Sequence, residues 1–233
     1  MTATTRATAI APLVVFAAFV GLWQLACTLF SLPVFLVPGP GQVLDAALRQ
    51  HSLLLTATAW TAAGALSGLF VSLLLGSVIA IAFSQSKLIA RSFYPYAIFL
   101  QTVPVVALAP LIVIWFGPGF TSVVVVSVMI SLFPVITNGT TGLTRIDPQF
   151  LELFVLNNAT RWQVLTKLRL PGSIPYFVTG VRISSGLSVI GAIVGEFFAG
   201  YGSESFGLGY VVIQASGQLK TDLLFAAILA STL

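Results

Sequence analysis

The most informative segment of the chain reads Asp147-Pro-Gln-Phe-Leu-Glu-Leu-Phe-Val-Leu-Asn-Asn-Ala-Thr-Arg-Trp-Gln-Val-Leu-Thr-Lys-Leu-Arg-Leu-Pro-Gly-Ser-Ile-Pro175. Aspartate before proline is typical of a helix start, because the carboxylate accepts hydrogen bonds at the N-cap and proline has no amide to satisfy. Asn157-Asn158 is expected to end that helix, since asparagine tolerates the left-handed conformation. A capping box at Thr160 and Gln163 predicts a second helix, which Leu170-Pro171 should stop. We therefore expect two short amphipathic helices joined by a bend.

The rest of the chain is strongly apolar. Hydrophobic residues make up 58% of its 233 residues and charged residues 7%, with a mean hydropathy of +1.05. A soluble domain carries roughly 25% charged residues. The long, continuous apolar runs indicate membrane-spanning helices rather than the alternating strands of a barrel. The composition thus predicts an all-α membrane protein with a single transmembrane domain over residues 1–233, from which the loop at 144–175 projects.

Five long apolar runs and one short run predict a bundle of about six transmembrane helices. The long runs cover about 9–30, 53–83, 94–116, 121–141 and 176–200. The last run, Leu223–Leu233, is much shorter than the roughly 20 residues of a span, so we expect either that the sequence cuts a sixth helix or that something outside the sequence completes it. In the second span, Gly64, Gly68 and Gly76 leave room for the close approach of another helix.

Two of the spans carry polar groups that are candidates for lining a transport pathway. Gln101, Thr102 and Pro104 lie within the third span, where a proline frees backbone carbonyls that must pack in protein or line a cavity. Glu196 lies in the fifth span, and an acid at that depth is expected to face a protein interior or an aqueous cavity. For the third span the alternative is an ordinary packed helix with kinks, and for Glu196 the alternative is a structural partner for another span.

The basic residues are unequally distributed between the two sides of the predicted membrane. Two of them, Arg49 and Lys220, lie on one side. Seven lie on the other side: Arg6, Lys87, Arg91, Arg145, Arg161, Lys167 and Arg169. The positive-inside rule therefore places the N-terminus and the 144–175 loop in the cytoplasm. Arg182 lies within the fifth span near the cytoplasmic end, from which its side chain can extend to the interface.

The spacing within the loop resembles the Glu-Ala-Ala loop of ABC importer permeases, which continues with three residues, Gly, nine residues and Ile-x-Leu-Pro. Glu152, Leu170 and Pro171 match this pattern, and Leu168 is a conservative replacement for the isoleucine. Asn158 replaces the glycine at low cost, because asparagine also adopts the left-handed conformation. Leu153 and Phe154 stand where the family has alanines. Weaker similarities occur at Leu32-Pro33, at 101–117 and at Gly207-Leu-Gly-Tyr210.

This resemblance implies the membrane subunit of a type I ABC importer in the plasma (inner) membrane. It implies that the loop is a coupling helix that docks on a cytosolic ATPase, through Glu152, Leu153, Phe154, Asn158, Trp162, Leu168, Leu170 and Pro171. It also implies a homodimer surrounded by membrane lipid, and a solute-binding protein on the outer side. The similar subfamily transports nitrate, taurine, alkanesulfonates, thiamine-precursor pyrimidines or riboflavin.

Other function classes find less support in the sequence. The chain has no Gly-x-x-x-x-Gly-Lys-Ser/Thr motif, so ATP hydrolysis is expected on a separate subunit. One cysteine, one histidine and six acids suggest neither catalysis nor a metal or cofactor site, and we expect no enzyme. The basic residues lie at membrane edges, which does not indicate nucleic-acid binding. The remaining alternative is an ion-coupled secondary transporter, which should show an internal repeat and several intramembrane acids.

Overall fold

The computed structural model of the chain describes residues 3–201 and 205–232, without the side chains of residues 3–10 and 100. The described ranges contain helices and connecting turns but no strand. In chain order the helices are α1 (Ala3–Leu29), α2 (Pro40–Arg49), α3 (His51–Gln85), α4 (Lys87–Thr102), α5 (Val105–Phe116), α6 (Phe120–Thr144), α7 (Pro148–Leu156), α8 (Arg161–Val164), α9 (Leu170–Ala199), α10 (Leu208–Gly217) and α11 (Thr221–Ser231).

Four helical segments in the described ranges are long and apolar enough to cross a membrane. They are Ala11–Leu29 of α1, all of α3, all of α6, and a continuous helix over Arg161–Ala199. Helices α5, α10 and α11 are apolar but shorter. The all-α, polytopic membrane fold expected from the sequence is therefore confirmed.

Contacts between residues divide the chain into two compact units, Met1–Thr58 with Val211–Leu233, and Ala59–Tyr210. In the first unit α2 packs against α11. The Thr221 hydroxyl donates a 2.7 Å hydrogen bond to the Phe35 carbonyl, and the Trp23 and Phe225 rings lie 5.9 Å apart. The single domain over residues 1–233 stays a prediction.

The second unit is built on close packing between the antiparallel helices α6 and α9. A Cβ atom on Gly191 would lie 2.6 Å from the Ser127 Cα, so the two backbones touch there. Across the same interface the Ser127 hydroxyl donates to the Ser188 carbonyl at 2.9 Å. About one turn away, the Ser184 hydroxyl donates to the Ser131 carbonyl at 2.7 Å. Small residues and hydroxyl bonds of this kind hold helices together where lipid provides no hydrophobic drive for association.

Three glycines of α3 lie against α6 in succession; the sequence predicts the close approach of a helix at these positions but not which helix it is. A Cβ atom on any of them would collide with a side chain of α6, so each glycine is needed for the close approach. The pairs are Gly64 with Val123, Gly68 with Ser127, and Gly76 with Val135.

The third apolar run is not one kinked span, as predicted, but two helices. Helix α4 ends at Thr102, and α5 begins at Val105, after two residues of extended backbone. Pro104 excludes the helical conformation at Val103 and has no amide to donate, which explains the break. Pro110 lies within α5 and does not end it.

The second short helix of the loop does not stop at Leu170-Pro171, so that part of the prediction is wrong. Helix α8 passes into a π-helical turn over Leu165–Arg169, in which the Leu170 amide donates to the Leu165 carbonyl, and α9 follows directly. In a regular α-helix the ring of Pro171 would clash with the carbonyl four residues earlier. The wider π turn relieves this clash. The helix that contains the fifth span therefore begins at Arg161 rather than at Tyr176.

We predict that Gly191→Ala lowers the midpoint of thermal denaturation of the purified protein by about 2–8 °C, from a cost of about 1–2 kcal/mol. The new Cβ would meet backbone rather than the end of a flexible side chain. Size-exclusion chromatography after stepwise heating measures the effect. Gly186→Ala is the matched control, because a Cβ there meets nothing within 4 Å. Equal midpoints for the two variants would contradict the packing described for α6 and α9.

Candidate functional site

The first helix of the 144–175 loop is closed at both ends by local hydrogen bonds. At its start the Asp147 carboxylate accepts from the Gln149 amide at 3.0 Å. At its end the Ala159 amide donates to the Phe154 carbonyl at 3.0 Å, and the Asn158 amide donates to the Val155 carbonyl at 2.9 Å. Asn158 has a φ of 53°, so the end is a Schellman motif with asparagine in the left-handed position. The bend predicted at Asn157-Asn158 is confirmed.

The second helix of the loop starts with the capping box that the sequence predicts. The Thr160 hydroxyl accepts from the Gln163 amide at 3.3 Å, and the Gln163 side chain accepts from the Thr160 amide at 2.8 Å. Two amides at the helix start are thereby satisfied without any contact to the rest of the chain. The bent shape of the loop is therefore fixed by its own sequence.

The surface of this bent loop is apolar and exposed. No residue of α7 or α8 is buried. Five large apolar side chains of these helices are mostly exposed: Phe150 (58%), Leu153 (54%), Val155 (65%), Leu156 (80%) and Trp162 (70%). Between the two helices lies a groove of about 310 Å³, lined by Leu153, Phe154, Asn157, Ala159, Gln163 and Lys167. An exposed apolar surface with polar residues at its edge is typical of a protein–protein contact.

The base of the loop is anchored to the ends of two spans. Leu165 is buried with Ala80 of α3 and Leu143 of α6, and Leu170 packs against this cluster. The Arg169 guanidinium donates a 2.6 Å hydrogen bond to the Ser84 carbonyl at the end of α3. The structure thus places Leu170 in the packing beneath the loop rather than on its outer surface. Two further candidates, the half-buried Leu168 and the exposed Pro171, also lie in the continuous helix.

The candidate pathway residues of the third span lie at the break between α4 and α5. Gln101, Thr102 and Pro104 are all exposed, and the Thr102 hydroxyl donates to the Phe99 carbonyl of its own helix at 2.8 Å. The Gly119 amide donates to the Ala199 carbonyl, so the end of α9 lies beside the far end of α5. That end is 12 residues, or about 18 Å, from the break. The structure therefore does not bring these three residues together with Glu196.

Glu196 lies in the interior of the second unit, where it joins three helices. Its side chain is 1% exposed, and its Oε2 atom accepts from the Thr61 hydroxyl at 2.9 Å and from the Gly209 amide at 2.8 Å. The Thr61 hydroxyl in turn accepts from the Leu208 amide at 2.8 Å. The other carboxylate oxygen is buried without a hydrogen-bond partner in the part of the chain that the structure describes. Side chains of α3 and α9 thus satisfy the first two amides of α10, at the end of that helix where a carboxylate is favoured.

Gly207 and Gly209 make this arrangement possible, because a side chain at either position would displace the carboxylate. A Cβ on Gly207 would collide with the Glu196 carboxylate, and one on Gly209 would lie 2.5 Å from the Ile193 carbonyl. The sequence placed Glu196 in a protein interior or a cavity but did not connect it with Thr61. A threonine in an apolar run carries no signal of its own, and the spacing in sequence between residues 61 and 196 gives no information about contact.

Comparisons with known proteins agree with this architecture. Residues 68–233 match the family described as "Binding-protein-dependent transport system inner membrane component". The chain is 36% identical over 218 residues to a "Probable ABC transporter permease protein" of Haemophilus influenzae, covering 94% of this chain and 87% of that protein. It is 34% identical over 221 residues to the "Formylaminopyrimidine transport permease protein ThiX" of Halalkalibacterium halodurans, covering 94% and 86%.

The fold resembles a solved structure that shows inward-facing conformations of the MetNI methionine ABC transporter. The TM-score is 0.62 with 16% sequence identity, over 79% of this chain and 94% of that chain. The family match confirms the resemblance stated from the Glu-Ala-Ala spacing, and it favours ATP-driven import over the ion-coupled alternative. The chain therefore belongs to the family of binding-protein-dependent transport system inner membrane components, and it is a permease subunit of an ABC importer.

Proposed function

We propose that two copies of this permease form the membrane part of an importer in the plasma (inner) membrane, surrounded by lipid. Two separate ATPase subunits bind on the cytoplasmic side, and a solute-binding protein delivers the solute on the outer side. The description of the family supports the binding protein, and the absence of a phosphate-binding motif from the sequence supports a separate ATPase.

The observation that carries this proposal is the exposed apolar groove of the 144–175 loop. A preformed groove lined by the exposed Leu153, in a loop that also exposes Trp162, fits a protein partner. In the docked state Leu153, Phe154 and Trp162 supply apolar contacts. Glu152 supplies a polar contact, and Asn158 holds the bend in its bound shape.

The connection between the loop and the spans supports a mechanical role. Helix α8 is continuous with α9, so a displacement of the loop moves the fifth span as one body. Leu165 and Arg169 transmit the same displacement to the ends of α3 and α6. ATP-driven closure of the ATPase subunits thus switches the bundle between two arrangements, a rigid-body transition.

The distribution of basic residues supports a cytoplasmic N-terminus and a cytoplasmic loop. The structure adds that the loop is anchored at the ends of α3 and α6, beside the basic residues Lys87 and Arg145. Cytosolic ATPase subunits can therefore reach the groove.

We assign the buried Glu196 cluster to a gate at the outer end of the bundle. The carboxylate joins α3, α9 and the start of α10, so these elements separate only if its hydrogen bonds break. Gln101, Thr102 and Pro104 line the pathway at the break in the third span, where irregular backbone requires a cavity or a partner. The solute is small and polar. Formylaminopyrimidine, for which one relative is named, is one candidate beside nitrate, taurine, alkanesulfonates and riboflavin.

The docking proposal predicts that Leu153→Asp reduces co-purification of the ATPase and solute uptake about tenfold or more, because a charge would be buried in an apolar contact. Val155→Asp is the control. Val155 is similarly exposed, at 65% against 54%, but lies on the side of α7 away from the groove. Affinity purification of the assembled transporter from native membranes measures both. Full retention of the ATPase by Leu153→Asp would contradict the proposal.

The topology predicts that thiols introduced at Asn157 and Gln218 lie on opposite sides of the membrane. Both residues are exposed, and Cys27→Ser removes the native thiol. In intact cells an impermeant maleimide should label Gln218→Cys but reach Asn157→Cys only after lysis. The reverse pattern would invert the orientation and move the groove away from ATP.

If the Glu196 cluster is a gate, Thr61→Val should raise the basal rate of ATP hydrolysis, measured without binding protein, toward the rate measured with it. The same substitution should lower the midpoint of thermal denaturation. The substitution leaves the buried Leu208 amide without its acceptor, at a cost of about 1–3 kcal/mol. Thr61→Ser keeps the hydroxyl and should behave as the parent. Thr58→Val serves as a control, since the Thr58 hydroxyl donates only within its own helix, to the Leu54 carbonyl at 2.7 Å. A Thr61→Val transporter indistinguishable from Thr58→Val would argue against the gate.

A further inference from the structure

Arg182 lies deep within the continuous helix Arg161–Ala199. Arg182 is 13 residues, or about 20 Å of helix, after Arg169, which bonds to the end of α3. It is 17 residues, or about 26 Å of helix, before Ala199 at the end of α9. The hydrocarbon core of a bilayer is about 30 Å thick. The sequence suggested a position near the cytoplasmic end of the span, because the span was expected to begin at Tyr176. Between Arg169 and Ala199 the helix is about 45 Å long, so a core of about 30 Å centred on it includes Arg182 about 12 Å from the cytoplasmic edge.

The exposed face around Arg182 does not have the character of a lipid-facing surface. Pro175, Thr179, Arg182 and Gly186 follow one another at intervals of three and four residues, and all four are exposed. This row of small and polar residues is bordered by apolar side chains at Ile174, Ile183 and Ile190. A charged residue within a span is costly against lipid and usually faces a water-filled cavity or a partner. The row therefore indicates a surface that faces water.

The part of the chain that the structure describes provides no counter-charge for this arginine. Within the described residues, the Arg182 guanidinium has no hydrogen-bond or ion-pair partner, whereas Arg49 pairs with Asp45 at 2.8 Å. Of the six acids only Glu196 lies within a span, and it is buried 14 residues, or about 21 Å, further along α9. A second, identical copy offers no other acid at this depth. A ligand must therefore supply the negative charge.

Arg182 also lies at about the depth of the break in the third span. The Ser184 hydroxyl bonds to the Ser131 carbonyl of α6, which sets the level of Arg182. The Ser122 hydroxyl lies 3.5 Å from the Ile112 carbonyl, and α5 and α6 run in opposite directions from there. The start of α5 lies seven residues before Ile112, and seven residues after Ser122 is residue 129 of α6. The start of α5 is therefore level with about residue 129, close to Ser131. An unpaired cation and interrupted backbone at one depth are both accommodated by a hydrated cavity.

We propose that Arg182 lines the solute pathway and binds an oxyanion group of the transported solute, such as a sulfonate, carboxylate or nitrate. The planar guanidinium offers paired N–H donors that match two oxygens of such a group, and its charge is retained at any physiological pH. This inference rests on the proposed import function and narrows its substrate class. A lipid phosphate carries the same oxyanion chemistry, and the experiment distinguishes the two sources.

The test measures the electrostatic potential beside Arg182 in the full transporter, with its ATPase and binding protein, in vesicles. In a Cys27→Ser background, Thr179→Cys places a thiol on the exposed row, one turn from Arg182. The rates of modification by an anionic and a cationic methanethiosulfonate of similar size are compared, with and without Arg182→Gln. We expect Arg182→Gln to lower the anionic-to-cationic rate ratio about fivefold, the effect of one charge at roughly 8 Å in water.

Arg91→Gln is the matched control, because Arg91 is also exposed and lies outside the proposed pathway. It should leave the ratio unchanged. Ethanesulfonate or nitrate at millimolar concentration should slow modification of the Thr179→Cys thiol by the anionic reagent when Arg182 is present and not in Arg182→Gln. An uncharged pyrimidine should protect in neither. A thiol that neither reagent modifies, or a ratio that Arg182→Gln does not change, would overturn the proposal.

Two further readouts separate the remaining outcomes. If the effect of Arg182→Gln appears in phosphatidylcholine alone but is lost when phosphatidylglycerol is present, a lipid headgroup neutralises Arg182 and the solute assignment is wrong. Co-purification of the ATPase is measured on the same samples. Loss of the ATPase from the parent transporter would count against the proposed function, whereas an unchanged labelling ratio with the ATPase retained would count against Arg182 alone.

Discussion

The contact between α6 and α9 is the constraint on which the rest of the structure depends. Lipid does not drive helices together as water does, so their association depends on how closely two backbones can approach. Gly191, Gly195, Ser127 and Ser131 allow that approach here, and serine hydroxyls bond to carbonyls across the interface. With this pair fixed, α3 fits against α6 through its own glycines, and the buried cluster of Glu196 forms at one end.

The two ends of this bundle are built in different ways. At the loop end a self-capped pair of short helices carries an exposed apolar groove, with its base locked to the spans by Leu165 and Arg169. At the other end a single buried carboxylate joins three helices through neutral donors. The loop end is suited to receiving force from a partner. The carboxylate end is suited to opening and closing, because a few hydrogen bonds hold it.

Features that depend on neighbouring residues in the sequence were the most predictable. The caps at Asp147 and Thr160, the bend at Asn158 and the glycines of α3 follow from local chemistry and helical spacing, and the structure has all of them. The continuation past Pro171 was missed, because a proline normally ends a helix and nothing in the sequence announces a π turn. The pairing of Thr61 with Glu196 was missed because it joins residues 135 apart.

The π turn affects the orientation of the loop relative to α9. In a π turn each amide bonds to the carbonyl five residues earlier instead of four, so the turn contains one extra residue. One residue of an α-helix corresponds to a rotation of about 100°, and α8 is therefore rotated by about that angle relative to a regular continuation of α9. That angle sets which way the groove points relative to the row that contains Arg182. A single extra residue between Leu165 and Arg169 therefore sets the angle about the helix axis between the groove and the row that contains Arg182.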